Sequence, residues 1–179
     1  MKPERTIPFG RPWITEAERR AVIEVLVGPI LTHGPRCRKF ESDFANFLNG
    51  DSVYCVTVSS CMAALHLSYY SLGIGAGDEV IVPAQTHTAT VNAVELSGAK
   101  PVFVDCEPVT GNINPNLIED AITPRTRAIG IIHYMGIPAE LDSILAIAQR
   151  HDLSLVEDCS LAVGARYKGI HTGLFGYSG

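Results

Sequence analysis

Three short stretches hold side chains able to act on a small ligand. In the first, the apolar run Leu153 to Val156 ends in Glu157-Asp158, followed by Cys159-Ser160. Such a run reads as a buried strand that delivers a carboxylate to its C-terminal rim, the place where open α/β sheets bind ligands. Asp158 could pair with a cationic ligand atom, hold a metal or cap the following turn, and residue type alone leaves the cap and the ligand level. The second stretch, Ser59-Ser60-Cys61-Met62-Ala63-Ala64, sets small residues before a helix. The free amides and positive dipole end of a helix start suit an anion, typically phosphate. Ser59 or Ser60 could equally be a plain N-cap. The third, Pro83-Ala84-Gln85-Thr86-His87-Thr88, offers an imidazole that could stack on a flat ring, move protons near neutral pH, or simply be hydrogen-bonded at a helix start.

All three stretches fall at strand-to-helix junctions or strand ends of a regular alternation. Thr15-Glu16-Ala17-Glu18 is a capping box opening a helix that stops at Gly28. After a loop at 29–35, Phe40, Phe44, Phe47 and Leu48 form the stripe of a second helix ending at Asn49-Gly50. Strands are predicted over 52–58, 79–82, 101–104, 127–133 and 153–157, with helices over about 62–72, 87–97, 115–122 and 141–148. Tyr167-Lys168-Gly169-Ile170 reads as a hairpin turn. The fold class this implies is α/β: three layers, with a mostly parallel sheet covered by helices on both faces. Gly73-Ile74-Gly75-Ala76-Gly77 looks like a dinucleotide loop, but it follows a helix and precedes a strand, the reverse of the fingerprint's order. It reads as a helix stop and a turn.

Composition narrows the partners. The 179 residues are 46% hydrophobic and 18% charged with a net charge of −5, enough chain for a real core and no Lys/Arg-rich run for nucleic acid or an anionic membrane. No apolar run reaches membrane-spanning length, and Met1 to Arg5 lacks a signal-peptide core. Five cysteines without a Cys-x-x-Cys pair read as reduced thiols in a cytoplasmic protein, with no metal site expected.

The order of these pieces resembles the DegT/DnrJ/EryC1/StrS family of sugar aminotransferases, enzymes of fold type I that use pyridoxal phosphate. The resemblance rests on Pro29 to Pro35, Ser59-Ser60 with Ala63-Ala64-Leu65-His66, and Leu72 to Gly75 running into Gly77-Asp78-Glu79-Val80-Ile81-Val82-Pro83. It continues through Gly98-Ala99, Pro101 to Asp105, Ala121 to Thr126, His133-Tyr134-Met135-Gly136, Glu157-Asp158 and Gly164-Ala165 to Gly169, nearly the whole chain in register. It implies an N-terminal arm, first helix and loop over 1–35 and a cofactor-binding large domain over 36–179. Ser60, Cys61 and Met62 would hold the cofactor phosphate, His87 would stack on the pyridine face, and Asp158 would pair with the pyridine nitrogen. The reaction implied moves an amino group, from glutamate, onto a nucleotide-linked keto sugar in a homodimer whose 29–35 loop serves the neighbour's site. A sugar dehydratase of the same family and a non-catalytic relative are the alternatives.

Two residues depart from the family's pattern. Met62 stands where the family has a threonine whose hydroxyl helps hold the phosphate. Leu161 stands where Gln or His lies near the cofactor's ring oxygen, and it cannot donate. The family's Schiff-base lysine belongs to a Ser-Phe-x-x-x-Lys segment expected beyond Gly179, as is the small domain; Lys168 is expected to be a turn residue.

Overall fold

The computed structural model describes residues 10–48 and 53–179. Two compact units divide between Thr57 and Val58. In the first, α1 (Glu16–Leu26) opens with the expected capping box: the Thr15 amide donates to Glu18 Oε2 at 2.6 Å and the Ala17 amide to Thr15 Oγ1 at 3.2 Å. α2 (Pro35–Phe47) starts on a proline, whose missing N–H costs nothing at a helix start, and stacks Phe40, Phe44 and Phe47 along one side. The predicted stop at Asn49-Gly50 lies outside the described residues.

The strand predicted over 52–58 does not form across its described residues. Tyr54 and Val56 are exposed. The Thr57 amide and hydroxyl both donate to Glu41 Oε1, at 2.8 and 2.7 Å, so the donor a sheet ladder needs is used by a side chain.

The second unit carries the sheet. β1 (Glu79–Pro83), β2 (Lys100–Val104), β3 (Thr126–Ile132) and β4 (Ser154–Asp158) are parallel, in the order β2-β1-β3-β4. Successive residues serve opposite faces. Val80, Val82, Ala128 and Val156 pack with α3 (Cys61–Ser71) and α4 (Thr88–Leu96) through Leu65, Tyr69, Ala93 and Val94. Ile81, Ile129, Ile131 and Leu155 pack with α5 (Ile118–Ala121) and α6 (Leu141–Arg150) through Ile118, Leu141 and Ile144. This is the expected three-layer α/β arrangement. The helix predicted from Pro115 is broken: a 3-10 turn over Pro115–Leu117, capped by Asn114, precedes the single turn of α5.

The chain crosses from β1 to β2 in one direction and from β3 to β4 in the other. The order therefore reverses between β1 and β3, and the loops after them diverge to leave a crevice at the strands' C-terminal ends. β5 (Arg166–Tyr167) and β6 (Ile170–His171) form the predicted hairpin, with Lys168 at φ +48° and Gly169 at φ +87° in its turn. The Gly73–Gly77 stretch ends α3 and turns into β1, with Gly73 at φ +71°. Residues 177–178 run parallel beside β4, where the Glu157 amide donates to the Ser178 carbonyl at 2.9 Å.

Candidate active site at the sheet rim

β4 ends on Asp158, which is buried at 3% exposure at the C-terminal rim. Its carboxylate meets three donors. Oδ2 accepts from the Thr90 hydroxyl at 3.0 Å; Oδ1 accepts from the Ser160 amide at 3.1 Å and from the Cys61 thiol at 3.6 Å. Partial burial, then the Asp158 charge beside it, push the Cys61 thiol up, which keeps it protonated and able to donate.

The Cys61 contact brings the start of α3 against the end of β4. Ser60 is the N-cap, and its hydroxyl accepts from the Ala63 amide at 3.1 Å. The amides of Cys61 and Met62, as first-turn groups, have no helical acceptor of their own. The plain N-cap is thus what Ser60 supplies, and the two amides that follow it are not used by the cap. Met62 is partly buried and its side chain packs on the Leu65 and Tyr69 side of the sheet.

His87 is exposed and caps α4, its Nδ1 accepting from the Ala89 amide at 3.1 Å. The hydrogen-bonded histidine at a helix start is thus what is seen. One turn on, Thr90 reaches Asp158, so a single helix start presents His87 to solvent and ties Asp158 from within. Leu161 is exposed beyond the strand end, and its carbonyl lies 3.1 Å from where a Cβ on Gly136 would stand. Of the six residues singled out in the sequence, Cys61 and Asp158 are brought into contact, Ser60 and Met62 adjoin them on α3, and His87 and Leu161 lie on neighbouring loops of the same rim.

Two further groups belong to this rim and were not singled out by the sequence. Thr90, 1% exposed, is one; the Thr86 hydroxyl donates to it at 2.9 Å, and the spacing Thr86-x-x-x-Thr90 after a strand is the signal that would have found it. The other is His133, at the end of β3. Its Nε2 lies 3.0 Å from Glu157 Oε2, and its Nδ1 accepts from the Ala139 amide at 3.0 Å, so Nε2 carries the proton. Glu157 also accepts from the amides of Gly173 at 2.9 Å and of Phe175 and Gly176 at 2.8 Å each. Burial pushes the Glu157 carboxyl up, but the bonds from His133 and the three amides outweigh it and hold it below the usual carboxylate range. Glu157 faces inward as a clamp on residues 173–176 while its neighbour Asp158 faces the rim. His133, Glu157 and Cys159 bring ligand-type atoms within 4.8 Å of one another, but both Glu157 oxygens are already occupied by N–H donors.

Two lysines belong to the second unit, Lys100 and Lys168. Lys168 pairs with Asp142 in the hairpin turn, as the sequence led us to expect, and Lys100 lies at the opposite, N-terminal end of the sheet near Glu79. A cavity of about 600 Å³ opens beside the rim, lined by Gln85, Asp105, Glu107, Thr110 and Tyr134 from the loops after β1, β2 and β3.

The model of the DegT/DnrJ/EryC1/StrS aminotransferase family matches residues 12–179. The chain belongs to that family. Among solved structures similar to it is DesV from S. venezuelae, in complex with a ketimine intermediate, at 43% identity over 88% of this chain and 42% of that one, with a TM-score of 0.83. The aminotransferase from Psychrobacter cryohalolentis is 39% identical over 95% of this chain and 43% of that one, at a TM-score of 0.90. The putative sugar aminotransferase Spr1654 from Streptococcus pneumoniae, solved in its PLP-form, is 32% identical over 96% of this chain and 47% of that one, at a TM-score of 0.91; it was also solved in apo- and PMP-forms. The chain thus spans less than half the length of these relatives. Among the described residues, no helix is long and apolar enough to cross a membrane.

Proposed function

We propose that this chain supplies the cofactor-binding large domain, residues 36–179, of a pyridoxal phosphate-dependent aminotransferase acting on a nucleotide-linked keto sugar, with glutamate as amino donor, in amino-sugar biosynthesis. The observation that carries the reading is the contact between Cys61 and Asp158. It sets a helix start with unused amides against a buried carboxylate, so one small site offers positive dipole for an anion and negative charge for a cation. Pyridoxal phosphate has both, a phosphate and a protonated pyridine nitrogen, and the residues fit it.

In this reading the amides of Cys61 and Met62 hold the phosphate, with Ser60 fixing the turn that aims them. Met62 supplies no hydroxyl, so the amides carry more of the binding. His87 covers the ring face from the start of α4. Asp158 accepts from the pyridine nitrogen and keeps it protonated, because an ion pair at hydrogen-bond distance favours the charged form of both partners. When bound, the cofactor withdraws the electron pair left as the substrate's Cα–H bond breaks and carries the amino group between half-reactions. The cavity beside the rim, with carboxylate, amide and hydroxyl groups in its wall, is the size and character of a sugar site. Family resemblance supports a cytoplasmic homodimer and a Schiff-base lysine from the Ser-Phe-x-x-x-Lys segment.

Titration with pyridoxamine phosphate, which needs no lysine, tests the reading. Saturable binding is expected, and Asp158→Ala is expected to abolish it while leaving the circular dichroism spectrum and unfolding midpoint near those of the parent. No binding by the parent chain would leave a non-catalytic relative as the better account.

A further inference from the structure

The three donors around Asp158 distinguish its two oxygens. A carboxylate offers about four lone-pair positions. Both on Oδ1 are engaged, by the Ser160 amide and the Cys61 thiol, while Oδ2 accepts only the Thr90 hydroxyl among the described residues. Oδ2 is therefore the oxygen with an acceptor position left for a ligand. Thr90 is 1% exposed and its hydroxyl already accepts from Thr86 Oγ1 at 2.9 Å, so its own proton is directed to Asp158. Without that bond, a threonine in a helix would turn its hydroxyl to the carbonyl one turn back.

We propose that Thr90 is a positioning residue: its hydroxyl, fed by Thr86, holds Asp158 Oδ2 in the orientation that receives the cofactor's pyridine nitrogen. This rests on the reading of Asp158 given above. The Oδ1 contacts alone do not fix the plane of the carboxylate, because the terminal torsion of aspartate is broad. The Thr90 bond reaches the other oxygen from a rigid helix and supplies the second point of attachment.

The test uses pyridoxamine phosphate with the parent chain, Thr90→Val, Thr90→Ser and Asp158→Ala. Two quantities are read: the Kd, and the pH at which the bound cofactor's absorbance band reports loss of the pyridine proton. Valine keeps the shape and burial of Thr90 and removes only the hydroxyl. Its Kd is expected to rise about tenfold, as for loss of one hydrogen bond to a charged group. The spectral transition is expected to move down by about one pH unit, the equivalent of that factor. Thr90→Ser is expected to restore both to within about threefold of the parent. If Thr90→Val fails to fold, Thr86→Val carries the test, with shifts in the same directions of about threefold. An unchanged Kd and transition in the folded valine variant, with binding still abolished by Asp158→Ala, overturns the role of Thr90 and leaves that of Asp158 standing. Absence of binding by the parent chain overturns both.

Discussion

Replacing Glu157 with glutamine should loosen the segment that runs beside β4. The carboxylate accepts four N–H groups: Phe175 and Gly176 at Oε1, Gly173 and His133 Nε2 at Oε2. Glutamine keeps one acceptor oxygen and turns the other into a donor, so two of the four donors face an NH₂ group. His133 cannot relieve this by moving its proton to Nδ1, because Nδ1 already accepts from the Ala139 amide. Each buried donor left without an acceptor costs about 1–3 kcal/mol, and the lost charge weakens the two bonds that remain. We expect Glu157→Gln to destabilise the chain by about 3–5 kcal/mol, within the range for breaking a buried charged network. Urea unfolding would measure the loss, and amide exchange at Gly173, Phe175 and Gly176 would localise it. Because the Glu157 carboxyl is held below its ordinary value, its contribution is fully present above the unfolded value of about 4.3 and is lost as pH falls through the lower folded value. The gap between parent and variant should therefore close in acid. A cost under about 1 kcal/mol at pH 7, with exchange at the three amides unchanged, would refute the clamp.

Other substitutions test other parts of the account. Tyr69→Phe should be neutral or stabilise by about 1 kcal/mol in thermal unfolding, because the buried Tyr69 hydroxyl has no hydrogen-bond partner among the described residues. Gly130→Ala should destabilise strongly, since its Cβ would stand 2.3 Å from Tyr69 Oη, and Tyr69→Phe should recover part of the loss. Met62→Thr should tighten pyridoxamine phosphate binding a few-fold by adding a hydroxyl to the phosphate site, read by the same titration. Cys159 should resist alkylation at pH 8 until the chain is unfolded, because burial, then the Glu157 charge, push its thiol up to about 12.

The sheet was legible because its strands are short apolar runs separated by helical periods, and each of β1 to β4 starts and ends within two residues of the sequence reading. The rim was legible for the same reason: strand ends are where an acid after Val156 or a histidine after Pro83 stands out. What escaped depends on which way a side chain turns. Glu157 and Asp158 are adjacent acids that a strand must point to opposite sides, and nothing local marks Glu157 as the inward clamp on residues 173–176. Thr90 reads as an ordinary weak helix former until its hydroxyl is seen on Asp158. Residues 53–58 have a strand's alternation, but pairing depends on a neighbouring strand, and in its place the Thr57 amide is met by Glu41.

A crystal structure of the chain with pyridoxamine phosphate tests the central claim most directly. The account predicts the phosphate on the amides of Cys61 and Met62 and the pyridine nitrogen at hydrogen-bond distance, about 2.7–3.0 Å, from Asp158 Oδ2. A cofactor bound with its ring nitrogen away from Asp158, or its phosphate away from the start of α3, would contradict it.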